Sequence, residues 1–188
     1  MRKNPWKRLE AAIKPRKLSK NQEKQWDLLM FLVRLLILAA PLYALLSVPG
    51  ILYSAQVSTT NLTALALNAL GMHTTTDGTS VTIIDPNSPF RFIISEDCTG
   101  WKSVMFLFAL IFAVRGPKLK SRLLGLGFGS LVIFAGNMAR IIVTVLAERA
   151  YGLQTAMLLH DWLFRLGLVA LVLGLWVFWL GFLNKRLK

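Results

Sequence analysis

Residues 123–147 read LLGLGFGSLVIFAGNMARIIVTVLA, an apolar run whose one ionisable group is Arg140. Helical at about 1.5 Å per residue, such a run extends roughly 37 Å, enough to cross a hydrocarbon core about 30 Å thick. A charge inside such a segment is costly against lipid and turns toward the bundle interior, with Asn137 one helical turn earlier on the same face. Three further apolar runs flank it: Leu28 to about Leu52, Trp101 to Val114, and Trp162 to Leu183. The expected fold class is an all-α polytopic membrane protein with four transmembrane helices. The second run is the short one, roughly 24 Å even when counted from Cys98, which is marginal for a span.

Composition agrees with this. Among 188 residues, 55% are apolar and 16% charged, too apolar for a soluble domain of that size and enough for one domain. A single cysteine excludes an intramolecular disulfide framework and a CxxC pair, and two histidines without an HExxH pair argue against a zinc hydrolase. No cofactor and no metal are expected. Gly125, Gly127 and Gly129 superficially suggest a phosphate loop, but they lie in an apolar span with no strand before them, and close helix packing is the better reading.

The net charge of +13 sets the topology. Residues 1–27 hold nine Lys or Arg, the 115–122 turn four and the C-terminus, 184–188, three, which is sixteen of the 22. With four spans all three segments fall on one side, and the positive-inside rule makes that side cytoplasmic. The stretches 53–97 and 148–161 then face outward, and they are acidic instead, with Asp77, Asp85, Glu96, Asp97, Glu148 and Asp161 against Arg91 and Arg149. Residues 1–27 are too long and too charged for a signal-peptide n-region, so the first run is read as a retained span of a multi-pass protein of the cytoplasmic membrane, with Arg34 snorkelling to the near interface and Pro41 a possible kink. The basic tail touches anionic lipid; nothing suggests nucleic-acid binding. Trp176 and Trp179 fit an aromatic belt near the inner end of the last span. In the outward stretch 53–97, residues 61–70 suit an interfacial helix. Val81–Ile84 and Phe90–Ile94 suit a β-hairpin around the turn-forming residues 85–89.

Three reactive side chains fall at one depth. Cys98 opens the second run, Arg140 lies seventeen residues, roughly 26 Å, above Leu123, and His160 directly precedes the fourth run. A thiol is a nucleophile as thiolate, which a helix N-terminus or a neighbouring Arg or His⁺ favours and the adjacent Glu96 and Asp97 oppose unless they point away. His160 suits the role of proton acceptor and donor, and Arg140 can stabilise an oxyanion or a substrate carboxylate.

Cys98-Thr99-Gly100 at the start of a span, Asn137-Met138-Ala139-Arg140 late in the next and His160-Asp161 before the last resemble, in content and order, the motifs of the exosortase/archaeosortase family of membrane cysteine transpeptidases. The resemblance covers about residues 85–185. It implies Cys98 as nucleophile, Arg140 as the essential arginine and His160 as the third member, with Thr99, Gly100, Asn137 and Asp161 in support. Residues 28–188 would then form a single catalytic domain. It also implies a substrate class, exported membrane-anchored proteins ending in a sorting signal, and transfer of the cleaved acyl group from a Cys98 thioacyl intermediate to a lipid or other surface acceptor. The chain departs from larger members by its four spans, and Arg149 and Arg165 lie near enough in sequence to share the role of His160. An extended segment leading directly into Cys98 can either bind substrate peptide by strand addition or act as a structural lid. Two rival functions remain open: a noncatalytic assembly or transport component of the membrane, and a cysteine-dependent lipid acyltransferase.

Overall fold

The protein is described by a computed structural model over residues 19–85, 89–162 and 166–183. Helix α1 (Lys20–Leu46) starts at a capping box in which Ser19 accepts from the Gln22 amide while the Gln22 side chain accepts from the Ser19 amide. It therefore begins within the basic segment, about two turns ahead of the apolar run, and continues through Pro41. The residue of α1 that the bundle buries is Arg34, whereas Leu28, Leu32, Leu36 and Ile37 are exposed. A helix with that inverted pattern is suited to hydrocarbon, not water.

After α1 come α2 (Tyr53–Ala69), a three-stranded antiparallel sheet, a short 3₁₀ helix (Glu96–Thr99), α3 (Trp101–Ala113), α4 (Leu119–Tyr151), α5 (Leu153–Trp162) and α6 (Leu168–Phe178), which widens into a π-helical end at Trp179–Leu183. Two of these, α1 and α4, are long and apolar enough to cross a membrane. The other two expected spans correspond to shorter apolar helices, Trp101–Ala113 and Leu168–Phe182, of roughly 20 Å each.

The short α3 is completed at its C-terminus by its neighbours. Carbonyls in the last turn of a helix have no partner within it, and in apolar surroundings they need one. Arg34 on α1 donates to the Ala113 carbonyl at 2.9 Å, and Arg122 on α4 donates to Phe112 at 3.3 Å and Val114 at 2.9 Å. Arg34 is thus buried inside the bundle, where a snorkelling residue was expected: its guanidinium supplies a donor to the last turn of α3. Trp179 departs likewise from the expected aromatic belt. It is 1% exposed and donates to the Ser121 carbonyl at 2.9 Å, seated on Gly125. Gly129 is packed by Leu107 and Gly136 by Leu171, as close helix contact requires, whereas Gly127 meets nothing within 4 Å.

The expected hairpin is two strands of a three-stranded sheet, in the order β1 (Thr74–Asp77), β2 (Ser80–Ile83), β3 (Phe90–Ile93). β1 joins β2 through the two-residue loop at Gly78-Thr79, an Asp-Gly turn signal at 77–78. Residues 86–88 of the expected β2–β3 turn lie outside the described residues. Leu67 of α2, Val81 and Ile83 of β2, Ile94, and Ile141 and Val145 of α4 form one buried cluster, against which Cys98 packs. This cluster fixes the sheet on the Tyr151 end of α4. A second cluster, with Leu107, Ile111, Ile133, Val172 and Trp179, joins α3, α4 and α6.

Candidate active site

Three features of local geometry hold Cys98. It lies in the 3₁₀ turn Glu96–Thr99, closed by the Thr99 hydroxyl donating to the Glu96 carbonyl at 2.7 Å. Gly100 follows with φ +78°, a left-handed conformation that costs other residues roughly 1–2 kcal/mol, and this reverses the chain into α3. The Asn137 carboxamide of α4, fully buried, donates to the Cys98 carbonyl at 2.5 Å and packs beside Gly100. Thr99, Gly100 and Asn137 therefore act on where Cys98 sits.

The sulfur has two polar neighbours. The Ser95 hydroxyl is 3.4 Å from it, and the Arg140 guanidinium, buried on α4, lies close enough to the Cys98 side chain to interact with it electrostatically. Asp97, whose charge would oppose a thiolate, forms an ion pair with Lys102 at 2.7 Å. His160 arrives from elsewhere. Gly152, with φ +82°, ends α4, and α5 folds back beside α4 to bring His160 near enough to feel the charge of Arg140. Burial first, and that charge second, hold the imidazole below its ordinary value of 6.5, with Asp161 opposing them. His160 is accordingly neutral at pH 7, the form that accepts a proton.

Cys98 and His160 open into one cavity of about 370 Å³, walled by Phe90, Arg91, Phe92 and Ile94 from the sheet, Ile141, Thr144, Val145 and Glu148 from α4, and Leu153, Ala156 and Met157 from α5. Its volume is that of a small-ligand or peptide pocket, mostly apolar with few polar groups. Arg140, buried near Cys98, is not itself among the residues that line the cavity. Asp161 faces a separate depression with Leu158, Trp162 and Leu166. Arg149 forms an ion pair with Asp85 at the end of β2, and Arg165 lies outside the described residues. Among the described residues no group of three His, Cys, Asp or Glu side chains is placed to hold a metal ion.

The family description "transmembrane exosortase" (Exosortase_EpsH) matches residues 22–184. The chain belongs to the exosortase family. No curated protein and no solved structure matches it. Within this exosortase, Ser95 and Lys102 were not singled out from sequence, although Ser95 ahead of Glu96-Asp97 is a readable helix-cap signal. Of the cavity walls, Phe90–Ile94 were legible as an extended segment leading into Cys98, whereas the walls from α4 and α5 carry no such signal, since they come from separate segments.

Proposed function

We propose that this exosortase is a membrane cysteine transpeptidase that cleaves a C-terminal sorting signal from exported, membrane-anchored proteins. In this reading both termini and the basic 115–122 turn are cytoplasmic, and the cavity opens on the outer face. The observation that carries it is the grouping of a thiol, a guanidinium and a neutral imidazole: Arg140 lies near enough to Cys98 and His160 for its charge to act on both, and Cys98 and His160 share one cavity.

The chemistry divides into two steps. His160 takes the thiol proton as the Cys98 sulfur attacks the scissile carbonyl carbon, and Arg140 stabilises the oxyanion. Collapse breaks the C–N bond, the proton passes from His160 to the leaving amine, and a thioacyl-enzyme remains. A hydroxyl or amine of a lipid or surface acceptor then attacks the same carbon, giving its proton to His160. The C–S bond breaks and the sulfur regains its proton. Arg140 is suited to the oxyanion because its charge is fixed and its donors are planar.

The test is processing of a host membrane protein in cells bearing Cys98→Ala or Cys98→Ser. Both variants insert into the membrane and abolish processing; undiminished processing overturns the proposal. Mass spectrometry of the Cys98 adduct distinguishes a peptide acyl group from the fatty acyl group of a lipid acyltransferase. An inert Cys98 that a membrane-impermeant thiol reagent does not label favours the noncatalytic reading.

A further inference from the structure

We infer that the free edge of β3 is the docking strand for the protein substrate, which adds as a fourth strand running parallel to β3 and down to Cys98. This rests on the transpeptidase reading above. Central strand β2 uses alternate residues for its two neighbours. The Ile84 amide bonds to the His73 carbonyl on the β1 side, and the Ile94 amide bonds to the Thr79 carbonyl on the β3 side. With the observed register, the hydrogen-bonded pairs between β2 and β3 are 79/94, 81/92 and 83/90. The amides and carbonyls of Arg91 and Ile93 consequently point away from β2, to an edge that no strand among the described residues covers.

That edge borders the cavity. Phe90, Arg91 and Phe92 are consecutive, so their side chains alternate between the two faces of the sheet, yet all three line the same cavity as Cys98. A cavity touched from both faces abuts the strand along its edge. Its direction follows from α4: Phe90 is level with Glu148 and Arg149, with which it lines a second pocket, whereas Cys98 is level with Asn137 and Arg140. Eight residues of α4 separate Arg140 from Glu148, a descent of roughly 12 Å. A substrate chain that enters the membrane after its scissile bond descends in the same sense as β3, which makes the added strand parallel. Main-chain bonds to Arg91 and Ile93 then supply affinity whatever the side chains, and the apolar cavity wall reads alternate residues.

The probe is the host protein whose processing is lost in Cys98→Ala, and a synthetic peptide of its segment preceding the cleaved bond. Ile93→Pro removes one edge amide without touching a β2–β3 bond, since that amide faces outward. It is expected to lower kcat/KM about ten-fold, chiefly through KM, while Cys98 labelling by a thiol reagent stays at the wild-type rate. Thr76→Pro removes the corresponding outward amide on β1, remote from the cavity, and leaves processing unchanged. Against the unaltered enzyme, N-methylation of successive peptide residues inhibits with a period of two. Wild-type processing by Ile93→Pro with normal labelling, or N-methyl effects without alternation, overturns strand addition and leaves the transpeptidase reading standing. Absence of any Cys98-dependent processing overturns both.

Discussion

Asn137 on the long helix α4 donates its carboxamide hydrogen to the main-chain carbonyl of Cys98, thirty-nine residues away. The bond fastens the backbone of Cys98 and leaves its side chain unengaged by Asn137. It also places Asn137 against Gly100, whose left-handed backbone turns the chain into α3. The candidate nucleophile is thus held by a membrane helix and is not carried on a loose loop.

Asn137→Leu removes that clamp and leaves the Cys98 carbonyl without its donor. Turnover is expected to fall about ten- to hundred-fold, and Cys98 to label at an altered rate, with Asn137→Gln restoring neither because its longer stem displaces the amide. Labelling and turnover at the wild-type rate count against a positioning role.

Arg140→Lys keeps the charge but loses the planar fork. Processing is expected to fall by at least about 10²-fold, the loss seen when one oxyanion donor is removed. Near-normal processing by the lysine variant means that charge alone suffices.

For pH dependence the sign is set by His160. Its proton affinity is lowered by burial and by Arg140, so the neutral base forms below pH 6.5 and activity rises through an acid limb that lies below that value. Asp161 raises the imidazole's proton affinity, so Asp161→Asn shifts the limb further toward acid. The same depression makes His160 a source of acid instability: as pH falls below 6.5 the unfolded chain takes up the proton first, and stability drops. Chemical modification of histidine in a His73→Gln background isolates the titration, since the sequence has two histidines. A limb above 6.5 contradicts the assignment.

Two glycines on one helix separate packing from propensity. Gly125→Ala puts a Cβ 2.3 Å from the Trp179 indole and is expected to destabilise the bundle by about 1–3 kcal/mol. Gly127→Ala meets open space and is expected to stabilise by about 0.5–1 kcal/mol. Thermal unfolding in detergent reads both; equal effects would mean that the glycines do not seat α6.

Much of this was legible in the residue order, because the signals are local. The apolar run containing Arg140 and the β-rich segments before Cys98 each depend on a few adjacent residues, and they have their counterparts in α4 and in β2 and β3. The Asp77-Gly78 turn was equally local, yet β1 was not anticipated, since its Thr-rich strand is largely exposed and carries little alternation.

Sequence by itself pointed to a membrane protein of this family, and counting residues along helices gave the expectation that Cys98, Arg140 and His160 share one depth. Tertiary structure decided which way those side chains point and what surrounds them. Arg34 finds the Ala113 carbonyl across seventy-nine residues, Asn137 finds Cys98 across thirty-nine, and the cavity is closed by sheet, α4 and α5 together. The physical reason is that helix rotation and packing depend on all the neighbours at once, and an interaction between distant segments leaves no periodicity in either one alone.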